Sequence, residues 1–162
     1  MPNPTGYSAS QIWLHWIVAL LIVLQFVLKN PISEAWRAMG RGEEVAFSPL
    51  IGAHVAGGLL VLALVIWRLV LRVTQGAPQP PAEESAPLKL VAKATHGLLY
   101  LLLIGMPVSG ATAWIGGIEA AAGVHSVLRV LMLLFVALHV AGALYHQFVL
   151  KNNLLARMKR PG

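Results

Sequence analysis

Six histidines, His15, His54, His96, His125, His139 and His146, are the side chains in this 162-residue sequence whose type and spacing suit chemistry. His125 and His139 are fourteen positions apart. On an α-helix that spacing is about 40° of rotation and about 21 Å of rise, so one helix face offers two stacked imidazoles. Neutral imidazole is a ready metal ligand, and two imidazoles from facing helices can fill both axial positions of a haem iron. The chain has no cysteine, which excludes disulfides, thiolate ligation of iron–sulfur clusters and covalent haem attachment. A haem here must be held without covalent bonds.

The elements that position these histidines follow from composition. Hydrophobic residues make up 57% of the chain and charged residues only 11%, a balance suited to a bilayer rather than to water. Charge is missing in blocks: Gln11 to Leu28, Leu50 to Trp67, Gly97 to Gly116 and Val130 to Leu150 contain no Asp, Glu, Lys or Arg. Each block is about the ~20 residues that a spanning helix needs. In hydrocarbon every backbone polar group must be satisfied internally, and these runs lack the alternation of barrel strands, so helices are expected. No Lys or Arg precedes Lys29 and no small-residue cleavage site follows the first run, which is therefore expected to remain in the mature protein. The fold expected is an all-α, integral membrane four-helix bundle forming one domain over residues 1–162. Its spans are expected at about 10–29, 49–72, 88–110 and 122–152. Asn30 and Pro31 should end the first span and open a short outer loop to Ser48 and Pro49. The Pro-rich stretch from Gly76 to Pro81 makes an extended inner linker, Pro107 should bend the third span, and a Gly-rich outer turn follows it.

The net charge of +6 does not make a nucleic-acid surface, because the cations form no patch with interleaved aromatics. They sort by membrane side instead. One side collects Arg68, Arg72, Lys89, Lys93, Lys151, Arg157, Lys159 and Arg160 against Glu83 and Glu84; the other has Lys29, Arg37 and Arg41 against Glu34, Glu43, Glu44 and Glu119. The positive-inside rule then puts both termini in the cytoplasm.

Depth now pairs the histidines. His54 lies about a turn inside the outer end of the second span, level with His125 at the outer end of the fourth. His15 lies fourteen residues before Lys29, about 21 Å below the outer surface, which is the drop from His125 to His139. An outer haem between His54 and His125 and an inner haem between His15 and His139 are expected. Arg68 is fourteen residues past His54, beside the inner level, and Arg129 is one turn from His125. Each could neutralise haem propionates or snorkel to lipid phosphate. Gly57, Gly58 and Gly142 could clear room for a flat macrocycle. His96 and His146 fall near the inner ends of the third and fourth spans and could face one another there. They form an alternative inner pair, with His146 replacing His139. That choice would stretch the haem separation to about 31 Å, so His139 is preferred and His96 and His146 become candidates for a proton-coupled quinone site. A third reading, behind electron transfer by the chain itself and a conduit role for a partner redox protein, is a non-haem histidine channel or metal carrier.

Several motifs resemble those of the prokaryotic cytochrome b561 family, four-helix di-haem membrane cytochromes related to the cytochrome b subunits of hydrogenases and formate dehydrogenases. They are Ile12, Trp13, Leu14, His15 and Trp16; His54 with Arg68; Ala94, Thr95, His96, Gly97 and Tyr100; and His125 with His139. Tyr145, His146, Gln147 and Phe148, followed by Lys151, Asn152, Asn153 and Leu154, complete the set. The resemblance covers nearly the whole chain. It implies two haem b cofactors ligated by His15, His54, His125 and His139, no ligand role for His96, and a multi-pass position in the bacterial inner membrane. It also implies quinone-linked electron transfer, with ubiquinone the expected quinone. Superoxide:ubiquinone oxidoreduction is one branch of that activity, and a haem subunit acting as conduit for a periplasmic donor or partner protein is the alternative. The outer segment from Ser109 to Gly123 is short for the family, and the outer loops carry three basic against four acidic residues, a poor field for steering an anion.

Overall fold

The computed structural model describes residues 4–46, 48–81 and 84–162. Glu83, counted above among the inner charges, lies outside the described residues. Five α-helices occur among them: α1 (Ala9–Val27), α2 (Lys29–Gly40), α3 (Pro49–Gln75), α4 (Ala86–Trp114) and α5 (Glu119–Phe148). A short 3-10 helix, Leu154–Met158, follows. No strand is present among the described residues, and α1, α3, α4 and α5 are long and apolar enough to cross a membrane. With 30 residues, α5 is about 45 Å long and overruns the ~30 Å hydrocarbon layer.

Local chemistry sets the helix ends. At the start of α1, Ser8 Oγ accepts from the Gln11 N–H while the Ser8 N–H donates to Gln11 Oε1 at 3.0 Å, a reciprocal capping box. The Gln11 amide also donates to the Gly76 carbonyl at 2.9 Å, which ties the inner end of α1 to that of α3. Pro49 occupies the first turn of α3, where its missing N–H costs nothing. Gly76, at φ +77°, stops α3 in a conformation that glycine adopts without strain.

Two sequence expectations need correction. The outer segment after α1 is helical rather than a loop: the chain breaks at Leu28 and restarts as α2, with Pro31 inside its first turn. A proline that forbids continuation of one helix is well placed to begin the next. The outer turn between α4 and α5 is also tighter than expected. It comprises only residues 115–118, because α4 continues past Gly110 to Trp114 and α5 begins at Glu119.

Packing runs in series. α1 lies on α3, α3 on α4 and α4 on α5, whereas neither α1 nor α3 packs closely against α5 among the described residues. The buried cluster Val18, Val61 and Val65, supported by Leu21, Leu64, Tyr100, Leu103 and Ile104, fills the middle of α1, α3 and α4. The outside is apolar, with Trp13, Leu20, Val73 and Leu101 among its exposed side chains. A soluble protein rarely exposes so much apolar surface, and lipid is its natural partner. Below the bundle, the chain after α5 turns back through Lys151 and Asn153, both at positive φ. There the Trp16 indole donates to the Met158 carbonyl at 2.8 Å and Arg157 donates to the Gln79 carbonyl at 2.9 Å.

Candidate functional site

The antiparallel register of α4 and α5 decides which histidines meet. His125 lies opposite Met106 and Gly110, Leu128 opposite Gly105, and His139 opposite His96. In the outer half, α1, α3, α4 and α5 enclose one crevice lined by Phe26, His54, Gly58, Leu103, Pro107, His125, Arg129 and Met132. His54 reaches it from α3 and His125 from α5. His125 Nδ1 is 2.9 Å from the Met106 carbonyl. A carbonyl only accepts, so Nδ1 carries the proton and Nε2 is left with a free lone pair for a metal. Ser109 Oγ sits 3.3 Å from the same nitrogen. His54 Nδ1 is buried without a hydrogen-bond partner among the described residues, while the His54 carbonyl accepts from Gln25 Nε2 at 2.9 Å.

In the inner half, the His15 and His139 rings face each other from α1 and α5 with centroids 6.1 Å apart. Two metal–imidazole bonds of about 2 Å each, plus the two ring radii, place ring centres about 6 Å apart. His96 packs edge-on against His139 at 5.0 Å, and its Nδ1 is 2.6 Å from the Ala92 carbonyl. Arg68 donates to the Gln11 carbonyl at 3.0 Å, one turn below His15, and lies within electrostatic reach of both His15 and His139.

His96 and His146 do not pair. The register puts His96 level with His139, a full two turns above His146. His146 instead sits 3.2 Å from Glu84 Oε1 through Nε2, and its Nδ1 is 2.8 Å from Asn152 Nδ2. With both ring nitrogens engaged, His146 does not face His15. Gly57 also departs from expectation: a Cβ there would lie 2.7 Å from Gln25 Nε2, so its smallness admits Gln25 rather than a macrocycle. Gly142 has nothing within 4 Å of the same construction.

Both facing pairs therefore bridge α5 to helices whose backbones stand away from it. The outer crevice, with His54 and His125 on its walls and apolar side chains between, fits a flat macrocycle with a six-coordinate metal; at the inner level the fit rests on the 6.1 Å separation of the His15 and His139 rings. Sequence reading missed Ser109, the Met106 carbonyl, Glu84 and Asn152. Pro107 gave no lead to the first two, because a helical proline frees the carbonyl four residues before it, at Leu103, and not that of Met106.

Comparison with known proteins agrees with this architecture. The family model described as prokaryotic cytochrome b561 matches residues 6–161. A cytochrome b562 of Cereibacter sphaeroides is 37% identical over 99% of both chains. A probable superoxide oxidase of Yersinia pestis is 26% identical over 94% of each. Cytochrome b561 homolog 1 of Escherichia coli is 23% identical over 94% of this chain and 96% of its own. Matched almost end to end, and built as four apolar spans, the chain is a multi-pass membrane protein that belongs to the prokaryotic cytochrome b561 family of electron-transfer proteins.

Proposed function

We propose that this protein carries electrons across the bacterial inner membrane through two b-type haems and exchanges them with a membrane quinone, ubiquinone, at its inner side. The observation that carries the reading is the geometry of α5, which meets α1 and α3 through the histidine pairs rather than through backbone packing. His54 and His125 would hold the outer haem, His15 and His139 the inner one. Bound haem supplies a one-electron couple inside the bilayer. The chain supplies the rest. Held by two imidazoles apiece, the groups would supply electron transfer rather than small-molecule binding. Arg68 and Arg129 place positive charge beside the inner and outer levels, where propionates would otherwise be costly in hydrocarbon. His96 and His146, at and below the inner level, line the side at which quinone reacts. Both termini lie in the cytoplasm, since the inner end carries the cationic excess.

One observation favours a second reading for the outer side. Arg41 is held by Glu43 through contacts of 2.6 and 2.8 Å, and the pair keeps the Glu43 carboxyl below its usual range. With that cation neutralised, the outer surface has little field to draw in an anion such as superoxide, the substrate named for the Yersinia relative. A docked redox protein, with this chain as its haem-bearing conduit, suits the surface better.

Haem counting tests the reading. Pyridine haemochrome analysis should give two haems per chain for the wild type, one for His54→Ala, one for His139→Ala and two for His146→Ala. A colourless protein would end the haem reading and revive the histidine carrier. Loss of haem in His146→Ala with retention in His139→Ala would exchange the inner ligands.

A further inference from the structure

Gln25 brings an amide into the outer half of a membrane-spanning helix, where each unmet polar group is costly. Its nitrogen is accounted for. Gln25 Nε2 donates to the His54 carbonyl at 2.9 Å, over a stretch of α3 that two glycines leave bare: a Cβ on Gly57 would lie 2.7 Å from Nε2, and one on Gly58 3.6 Å from it. The amide oxygen is left over. Gln25 Oε1 is buried without a hydrogen-bond partner among the described residues, and so is His54 Nδ1. Both side chains line the outer crevice, one with an acceptor that lacks a donor, the other with a ring nitrogen that becomes a donor when protonated.

Other histidines of the bundle settle this nitrogen on a carbonyl. His125 Nδ1 rests on that of Met106 at 2.9 Å, and His96 Nδ1 leans back on that of Ala92, four residues earlier, at 2.6 Å. His54, in the second turn of α3, does neither among the described residues. For Nε2 to meet a metal, Nδ1 must carry the proton, and a ligating histidine nearly always donates that N–H to an acceptor. We propose that Gln25 is the positioning residue of His54: its Oε1 accepts a hydrogen bond from Nδ1–H and holds Nε2 toward the outer haem. The proposal rests on the outer-haem reading above. Turning the amide about its Nε2 hydrogen bond is the movement that joins the two unpartnered atoms, and Gly57 and Gly58 put no side chain in its way. A residue that only tied α1 to α3 would need the donor and not the oxygen. An acceptor at Nδ1 makes the imidazole a stronger donor to ferric iron, so Gln25 lowers the outer potential and slows loss of the outer haem.

The test is a redox titration of the holoprotein resolved into two waves, with the rate of haem transfer to excess apomyoglobin measured alongside. Gln25→Leu should raise the outer wave and leave the inner one in place. It should also release the outer haem at least about tenfold faster, the lower end of what loss of such a partner costs in affinity. Gly57→Ala probes the same link with Gln25 and His54 intact, since the added Cβ pushes the amide off α3. There too the outer wave should rise, and this variant decides the matter if Gln25→Leu keeps no outer haem. Gln25→Glu retains an acceptor oxygen and should bring the wave back to the wild-type value or below it. An outer wave unmoved in Gln25→Leu and Gly57→Ala would overturn the proposal, whatever happened to thermal stability, and leave Gln25 a tie between helices. Equal rises in both waves would overturn it as well. An unchanged haem count in His54→Ala would instead remove the outer-haem reading itself, and the proposal with it.

Discussion

His125 and His139 stand on one face of α5, and the protein prepares their surroundings in opposite ways. At the outer level, α4 fixes the ring: the Met106 carbonyl accepts a hydrogen bond from its Nδ1–H at 2.9 Å, Ser109 stands beside it, and Gly110 leaves room for it. At the inner level, no hydrogen bond reaches the His15 or His139 ring among the described residues, and His139 is flanked by His15 and His96. The outer imidazole is oriented by a hydrogen bond, the inner pair by ring packing. An imidazole that donates to a carbonyl is a stronger base toward its metal. With a haem held at each level as proposed, the outer one should be the more firmly oriented, and the inner one should have the potential that answers to a neighbouring charge.

The largest expected effect comes from filling the outer cradle. A Cβ at position 110 would lie 3.0 Å from His125 Cε1 and 3.1 Å from Nδ1, so a branched side chain there drives the ring from its place. Overpacking of this kind costs about 1–3 kcal/mol, and a ligand displaced with its ring no longer meets the iron. Gly110→Val should lower the haem count from two to one and spare the inner haem. Two haems with unchanged spectra would break the comparison, since α4 would then not be setting the outer ligand.

Much of this arrangement was legible in the sequence because a membrane helix has few variables. Rise per residue converts spacing into depth, and the fourteen-residue intervals among His54, Arg68, His125 and His139 survive any error of a turn in where the helices begin. What depends on register was not legible. The short turn at 115–118 sets α4 against α5 so that His96 meets His139, whereas counting from estimated helix ends put it beside His146. Helix α2 was hidden for another reason: Asn30 and Pro31 signal an ending and a beginning equally well. The spacing of Ile32, Ala35, Trp36 and Met39 was the available sign that the chain coils again. Glu84 lies in a linker without periodicity, and its one signal was an acidic residue on the side that otherwise collects cations.

At the inner level, Arg68→Gln removes a positive charge that favours the reduced, less positive iron. The inner midpoint potential should fall by on the order of 50 mV, as for a unit charge roughly 10–15 Å away at an effective dielectric of about 20. The outer potential should hold. Arg68→Lys should keep most of the wild-type value, because the charge matters here more than the fork of donors. A redox titration resolved into two waves reads both, and movement of both waves by equal amounts would mean that the two levels share one electrostatic environment.

The smallest effect separates the carbonyl from the hydroxyl at the outer level. Ser109 Oγ donates within α4, lying 2.7 Å from the Gly105 carbonyl and 3.0 Å from the Met106 carbonyl. It therefore competes with His125 for the Met106 oxygen. In Ser109→Ala that oxygen serves the imidazole alone, the Nδ1 hydrogen bond strengthens, and the ring becomes the better electron donor to a ferric iron. The outer potential should drop by on the order of 20 mV, equivalent to about half of a kcal/mol and so a fraction of one hydrogen bond, with the inner wave unmoved. A rise instead would show that the hydroxyl was supporting the imidazole at 3.3 Å rather than drawing its acceptor away, and would make Ser109, not Met106, the group that sets the outer ligand.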